Sequence, residues 1–357
     1  MEEQNRNGGV DRGLGKWFIA LSQVVFLIVI VGGVVRITGS GLSIPEWPLI
    51  NGSLMPPTSE QDWEAVYKTY HREIEGVEVP GIIHEARPGV IPFGEFRTMF
   101  SIEYFHRFLV ASFGLLFLFV MIKVMRNREA RARYGMVTCF ALCLLLTQAM
   151  LGGLVVKTDL EAVLVAIHLG VAFFFFALLF WIGLSILYPP SENLNGHNRR
   201  FYRLTVAATV LVFIQILTGG LMAGTQAGFH LNTWPLIGDY LIPPGSLLWS
   251  PSYDGFANIM YNKLLQQFIH RWWAFAAAGM VFYLVVAAMR FTVPSRARFG
   301  MRALSALIVL QIILGIFTLL FQVPPHMAIT HLAVGFLVFE VLVLLGYELR
   351  NHEVVPV

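Results

Sequence analysis

Eight long apolar segments dominate this chain of 357 residues. Each contains about 20 residues, the length that an α-helix needs to cross roughly 30 Å of hydrocarbon. Hydrophobic residues make up 56% of the sequence and charged residues only 13%, which excludes an ordinary soluble domain of this size. The pattern predicts an all-α integral membrane protein with eight transmembrane helices, at residues 17–35, 104–125, 136–156, 162–187, 204–223, 268–290, 302–321 and 327–349.

Basic residues predict the orientation of these helices. Lys and Arg gather before the first segment and in alternate connections, near residues 123–133, 199–203 and 290–302. Because cytoplasmic connections carry such an excess of positive charge, we expect both termini in the cytoplasm or its organellar equivalent. The net charge of +3 reflects this topology and gives no support to nucleic-acid binding. The first segment lacks a small-residue cleavage site and an Arg- and Ser-rich leader, which favours a retained helix in a bacterial inner membrane.

The second half of the chain repeats the first. Gly32-Gly33 and the run Trp47-Pro48-Leu49-Ile50 return 187 residues later as Gly219-Gly220 and Trp234-Pro235-Leu236-Ile237. Both halves contain four segments and enter the membrane from the same side, so we expect two four-helix bundles related by a pseudosymmetry axis along the membrane normal. The expected organisation is a cytoplasmic tail at 1–16, a first bundle at 17–187 with a long outer loop at 37–103, a cytoplasmic linker at 188–202, a second bundle at 203–349 and a C-terminal tail at 350–357.

Four histidines occupy equivalent positions in the two halves. His106 and His270 are 164 residues apart, and His168 and His331 are 163 residues apart. Ionisable groups inside a membrane are costly and tend to be functional, and a neutral imidazole is a common axial ligand of haem iron. Since two imidazoles on facing helices can hold one haem, the spacing predicts a haem site in the outer half of each bundle.

Arg107 and Arg271 directly follow the first histidine of each pair. An arginine in this position can bind a haem propionate through charge-assisted hydrogen bonds. It can also extend its charged end to the lipid headgroups. Both interpretations stay open on the sequence alone.

The two halves differ three residues before that histidine, where Glu103 corresponds to Gln267. A spacing of three places this side chain on the same helix face as the histidine. A carboxylate can move a proton or stabilise a developing cation, whereas an amide cannot exchange a proton at neutral pH. The asymmetry suggests a reactive first site and a permanent electron-transfer cofactor in the second. The alternative is a Glu at a helix start, favoured there by the helix dipole.

This combination of residues resembles the haem A synthase family. The resemblance spans about residues 17–349 and rests on the pattern Glu103-x-x-His106-Arg107, the stretch Gly41–Pro48, the runs Gly219–Gly224 and Asn232–Pro235, and the four histidines. The long first loop and the lack of loop cysteines resemble the mitochondrial and proteobacterial branch. Cys139 and Cys143 lie inside the third segment, where we expect small apolar fillers.

Members of this family oxidise the C8 methyl group of haem O to a formyl group by successive hydroxylations, giving the haem A of terminal oxidases. The resemblance implies substrate haem O between His106 and His168, Glu103 as the catalytic carboxylate with Glu46 as runner-up, and a haem b cofactor between His270 and His331. It implies haem O synthase, terminal oxidase assembly factors and an unidentified electron-transfer protein as partners.

Two other functions are compatible with a duplicated four-helix unit. A dihaem b-type electron-transfer cytochrome would use the same histidines, but a simple electron relay has no evident need for the difference between Glu103 and Gln267. A transporter would place discontinuous helices near the middle of the membrane, whereas the histidines are expected at its outer side.

Overall fold

A computed structural model describes residues 10–50, 52–73, 91–191 and 195–356. Within these ranges eight helices are long and apolar enough to cross a membrane, which confirms the all-α membrane protein. They are α1 (Arg12–Ile37), α3 (Phe93–Arg126), α4 (Arg128–Lys157), α5 (Ala162–Leu187), α6 (Gly196–Thr225), α9 (Lys263–Ala288), α10 (Ser295–Leu320) and α11 (Pro325–Asn351). The connections contain α2 (Glu60–Glu73), α7 (Gly245–Leu248), α8 (Gly255–Tyr261) and two short antiparallel strands, β1 (Phe291–Thr292) and β2 (Val355–Pro356).

Several helices begin earlier than their apolar segments. The largest difference is in α3, which starts at Phe93 and not at residue 104, so the predicted outer loop ends at residue 92. An apolar segment reports the thickness of hydrocarbon, whereas a helix continues until its backbone is capped. Asn195 provides such a cap for α6 with a reciprocal bond to Asn198, which shortens the predicted linker to 188–195. Residues 1–9, 192–194 and 357, which belong to the predicted tails and linker, lie outside the described ranges.

The two bundles meet along α1, α5, α6 and α11. Phe173 on α5 lies 4.3 Å from Phe336 on α11, measured between ring centroids, and these two residues are equivalent positions of the repeat. Their neighbours exchange contacts in the same way, because Phe176 packs against Phe336 at 4.7 Å and Phe173 against Phe339 at 5.1 Å. Reciprocal contacts of this kind mark a twofold relation between the halves.

The turns that lead into α5 and α11 also share one backbone conformation. Asp159 and Leu160 have φ values of 52° and 62°, and the equivalent Gln322 and Val323 have φ values of 60° and 58°. In both turns the second residue donates its N–H to a carbonyl five residues earlier, at 2.9 Å and 2.7 Å. The second histidine of each pair therefore follows an identical turn by eight residues.

The outer loops repeat their backbone as well. Trp47-Pro48 and Trp234-Pro235 are both cis peptides, each followed by a small bridge, between Ile50 and Ser53 in the first loop and its equivalent in the second. The first loop adds α2, whose Tyr70 is fully buried against Phe96 of α3. This loop forms an ordered cap over the end of α3.

Candidate haem sites

The described structure brings the members of each predicted histidine pair into one bundle. His106 on α3 and His168 on α5 are near enough to interact electrostatically. His270 on α9 and His331 on α11 are related in the same way. Because α3 begins earlier than predicted, His106 lies in its fourth turn and not within the first two turns.

A glycine of a neighbouring helix faces each of the four histidine rings. We describe each approach by the distance from the ring atom Cε1 to the point that a Cβ on the glycine would occupy. It is 3.2 Å for Gly32 and His106, 3.5 Å for Gly152 and His168, 3.2 Å for Gly219 and His270, and 2.9 Å for Gly315 and His331. The glycines form two repeat-equivalent pairs, like the histidines. The helices can therefore bring backbone against the rings only because these positions have no side chain.

The ring nitrogens suit the role of metal ligands. The Nδ1 atoms of His106, His168 and His331 are buried and have no hydrogen-bond partner among the residues that the structure describes. An unpaired nitrogen on a buried imidazole is costly, and neutral imidazole is the donor that haem iron takes from proteins. The glycine contacts and the free ring nitrogens thus fit a haem in each bundle.

Three of the four histidines also have a glutamine from the adjacent helix. Gln148 Nε2 donates to the carbonyl oxygen of His168 at 3.0 Å, and Gln311 Nε2 lies 3.4 Å from His331 Nε2. Gln215 Nε2 donates to the carbonyl oxygen of His270 at 3.0 Å and lies 3.2 Å from each nitrogen of that ring. Sequence analysis detected the repeat of Gln148 and Gln311 but missed Gln215, which has no counterpart in the first half.

Glu103 is buried and has hydrogen-bond donors on both carboxylate oxygens. Its Oε2 accepts from Ser43 Oγ at 2.8 Å and from the Ile44 backbone N–H at 2.9 Å, while its Oε1 lies 2.6 Å from Arg107 Nη2. Glu103 lies three turns into α3, far from the helix start. The alternative that the helix dipole favours this Glu at a helix start is therefore wrong, because that effect is confined to the first turn.

Both arginines hold the loop above their site. Arg107 donates to the carbonyl oxygens of Ile44 and Glu46 at 2.5 Å and 2.7 Å. Arg271 donates to the carbonyl oxygens of Thr233, Leu236 and Leu231 at 2.9 Å, 3.0 Å and 3.1 Å. Both guanidinium groups lie inside the protein and do not extend to headgroups. Their binding of haem propionates stays a prediction.

Gln267 makes bonds of the opposite polarity to those of Glu103. Its Nε2 donates to the carbonyl oxygens of Ala227, at 2.7 Å, and of His230, while its Oε1 accepts from Arg271. Burial and the nearby charge of Lys263 lower the pKa of the His230 side chain, so this loop residue is neutral at neutral pH. The first loop gives hydrogen atoms to residue 103, and the second receives them from residue 267.

The fold and the paired imidazoles define a multi-pass membrane protein with the ligand set of a haem protein. The chain belongs to the cytochrome oxidase assembly protein family COX15-CtaA, whose family model matches residues 15–343.

Relatives with the same name match almost the whole chain. The heme A synthase of Rhizorhabdus wittichii is 34% identical over 96% of this chain and 95% of its own length. The heme A synthase of Nitrosospira multiformis is 32% identical over 98% of this chain and 97% of its own length. That of Rhizobium etli is 34% identical over 95% of this chain and 89% of its own.

Proposed function

We propose that this protein is a haem A synthase, a membrane oxidoreductase that converts the C8 methyl group of haem O to a formyl group. The family and the names of the full-length relatives support this activity. The observation that carries the assignment of the chemistry is the buried carboxylate of Glu103, which lies three residues before His106 in the first bundle and is an amide in the second.

The two bundles have different roles in this proposal. Substrate haem O lies between His106 and His168, and haem b lies between His270 and His331 as the resident cofactor. The glycine contacts and ring nitrogens described above support a haem in either place. The carboxylate supports the assignment of substrate to the first bundle, because only that bundle offers a group that can accept a proton there.

Glu103 acts on the substrate through its charge. Oxidation of the methyl group develops positive charge on its carbon, and a carboxylate fixed in a water-poor interior stabilises that charge without having to reorient. Bonds from Ser43, Ile44 and Arg107 hold the carboxylate in place before the reaction. A first hydroxylation gives an alcohol, and a second gives a gem-diol that loses water to leave the formyl group. The resident haem supplies one-electron redox chemistry when bound.

The positive-charge pattern supports an orientation with both termini in the cytoplasm and both haem sites toward the outer face of a bacterial inner membrane. Haem O synthase would supply the substrate, and terminal oxidase assembly factors would receive the product. A dihaem b-type cytochrome that only transfers electrons is not favoured, because the relatives named above are synthases.

The test is to express the chain in a host that makes haem O and to identify the extracted haems by mass. We expect haem A from the unchanged chain. Glu103→Gln should keep both haems but lower the formyl yield by at least about 100-fold, the usual contribution of a positioned acid–base or charge-stabilising group.

Glu340→Gln is the matched control for this substitution. Glu340 is a second intramembrane carboxylate, held by Gln23 Nε2 at 2.7 Å on the interface between α1 and α11. We expect this variant to produce haem A as the unchanged chain does. Normal haem A production by Glu103→Gln would remove Glu103 from the mechanism, and no formyl haem from the unchanged chain would refute the proposed activity.

A further inference from the structure

The His270 ring has a hydroxyl partner. Thr218 Oγ1 lies 2.8 Å from His270 Nδ1, and the same hydroxyl donates to the Gln215 carbonyl oxygen at 2.8 Å. Because the hydroxyl proton is used in that helix bond, the Thr218 oxygen accepts a proton from His270. Nδ1 therefore carries the ring hydrogen, and Nε2 keeps the lone pair that can bind iron.

Three residues on one face of α6 contact His270. Gln215 bonds to its carbonyl oxygen, Thr218 bonds to its ring, and Gly219 packs against its Cε1 atom. Positions separated by three and four residues share a helix face. Together they fix the height, the rotation and the tautomer of the imidazole.

The first bundle keeps only one of these three contacts. The positions equivalent to Gln215, Thr218 and Gly219 are Ile28, Val31 and Gly32. The exchange of Thr for Val replaces a hydroxyl by a methyl group of nearly the same size, and Ile28 has no amide to offer. His106 therefore packs against Gly32, but its Nδ1 atom is buried without a partner in the described part of the chain.

We propose that Thr218 and Gln215 are positioning residues that make His270 a permanent haem ligand, and that Val31 and Ile28 leave His106 exchangeable. This inference rests on the proposed function, in which the second haem stays and the first must enter and leave. A hydrogen bond to the far nitrogen of a ligating histidine orients the ring and raises its basicity. Loss of such a partner typically weakens metal binding about 10–100-fold.

The test compares release of haem b from the second site alone. Thr218→Val is made in a His106→Ala, His168→Ala parent, so that only His270 and His331 can bind haem, and transfer to excess apomyoglobin is followed by absorbance. We expect release about 10–100-fold faster than from the parent. We also expect a more positive haem midpoint potential, because a less basic ligand stabilises ferric iron less well.

Two matched variants separate the hydrogen bond from packing. Thr218→Ser keeps the hydroxyl and should restore the release rate and the potential. Thr209→Val removes a hydroxyl from the same helix, where it donates to the Thr205 carbonyl oxygen at 2.8 Å, and should change neither quantity. In the first bundle, Val31→Thr in a His270→Ala, His331→Ala parent should slow the release of haem O.

Unchanged release and potential in Thr218→Val would overturn the inference. Equal loss of haem from Thr218→Val and Thr218→Ser would also overturn it, since packing and not the hydroxyl would then hold the ring. The proposed function fails in a different way: its cofactor site would be refuted by a second bundle that takes up no haem in either the parent or the unchanged chain.

Discussion

A glycine faces each histidine ring, and this restricts what the neighbouring helices can carry. The closest approach is at Gly315, where an added Cβ would lie 2.9 Å from His331 Cε1. Such a distance is shorter than packed carbon atoms allow, so the ring or the helix would have to move. The glycines are thus as necessary to the geometry of the pair as the imidazoles.

Gly315→Ala should therefore displace His331 and weaken the second haem site by about 1–3 kcal/mol, the usual cost of overpacking. The haem content of the purified protein, measured from the Soret band after dilution, checks this. Gly279→Ala on α9 is the control, because nothing lies within 4 Å of the position of its Cβ. Full haem retention in Gly315→Ala would show that the ring can shift without cost.

The repeat made the four histidines predictable, because each occurs twice at nearly the same offset. It revealed Gly32, Gly152 and their equivalents for the same reason. Thr218 had no such signal, since its counterpart is Val31. Self-similarity identifies what the halves share, whereas residues that distinguish their roles are visible only once the structure shows what they contact.

The turn into α11 contains two residues in the left-handed region, and neither is glycine. Gln322 is exposed and has a φ of 60°. This conformation costs an ordinary side chain about 1–2 kcal/mol. The equivalent turn into α5 carries the same cost at Asp159 and Leu160.

Gln322→Gly should raise the free energy of unfolding by about 0.5–1 kcal/mol, because relief of this strain exceeds the added flexibility of glycine in the unfolded chain. Ala306→Gly, at an exposed position inside α10, should instead lower it by about 1 kcal/mol. Thermal unfolding in detergent compares the two. A lower melting temperature for Gln322→Gly would mean that its side chain makes a contact that matters more than the strain.

Helix number followed from the sequence, but helix ends did not. Hydrocarbon thickness sets the apolar segments, so eight spans could be counted from composition. The first turns of α3 carry polar residues such as Glu95 and Arg97, which contain no hydropathy signal. The short helix α2 was missed because it is polar and amphipathic, and tertiary contacts such as that of Tyr70 with Phe96 determine its place.

The two bundles share an aromatic core and are not separate units. Phe336 is fully buried and packs against Phe173 and Phe176 of the other half, and against Phe26 of α1 at 4.8 Å. Equivalent residues touch each other at this point, so one change there affects both halves. The twofold relation was predicted from the repeat, but the residues on the axis were not, because apolar segments do not indicate which face meets a partner.

Phe336→Ala should cost about 3–5 kcal/mol of stability, since it leaves a large cavity on the axis. Phe282→Ala, at a position with 69% of its surface exposed, should cost far less. Melting in detergent, followed by haem absorbance and by circular dichroism, measures both. If only the second bundle lost its haem on heating, the halves would be less coupled than this core implies.

The opposite polarity of Glu103 and Gln267 has a consequence for the ancestry of the chain. Each loop has become matched to its own helix, one presenting hydrogen atoms and the other oxygen atoms. A chimaera that joined the second loop to the first helix would place a negative carboxylate against carbonyl oxygens. After an internal duplication, the two copies would thus have lost interchangeability through paired changes, and neither half could be restored by copying the other.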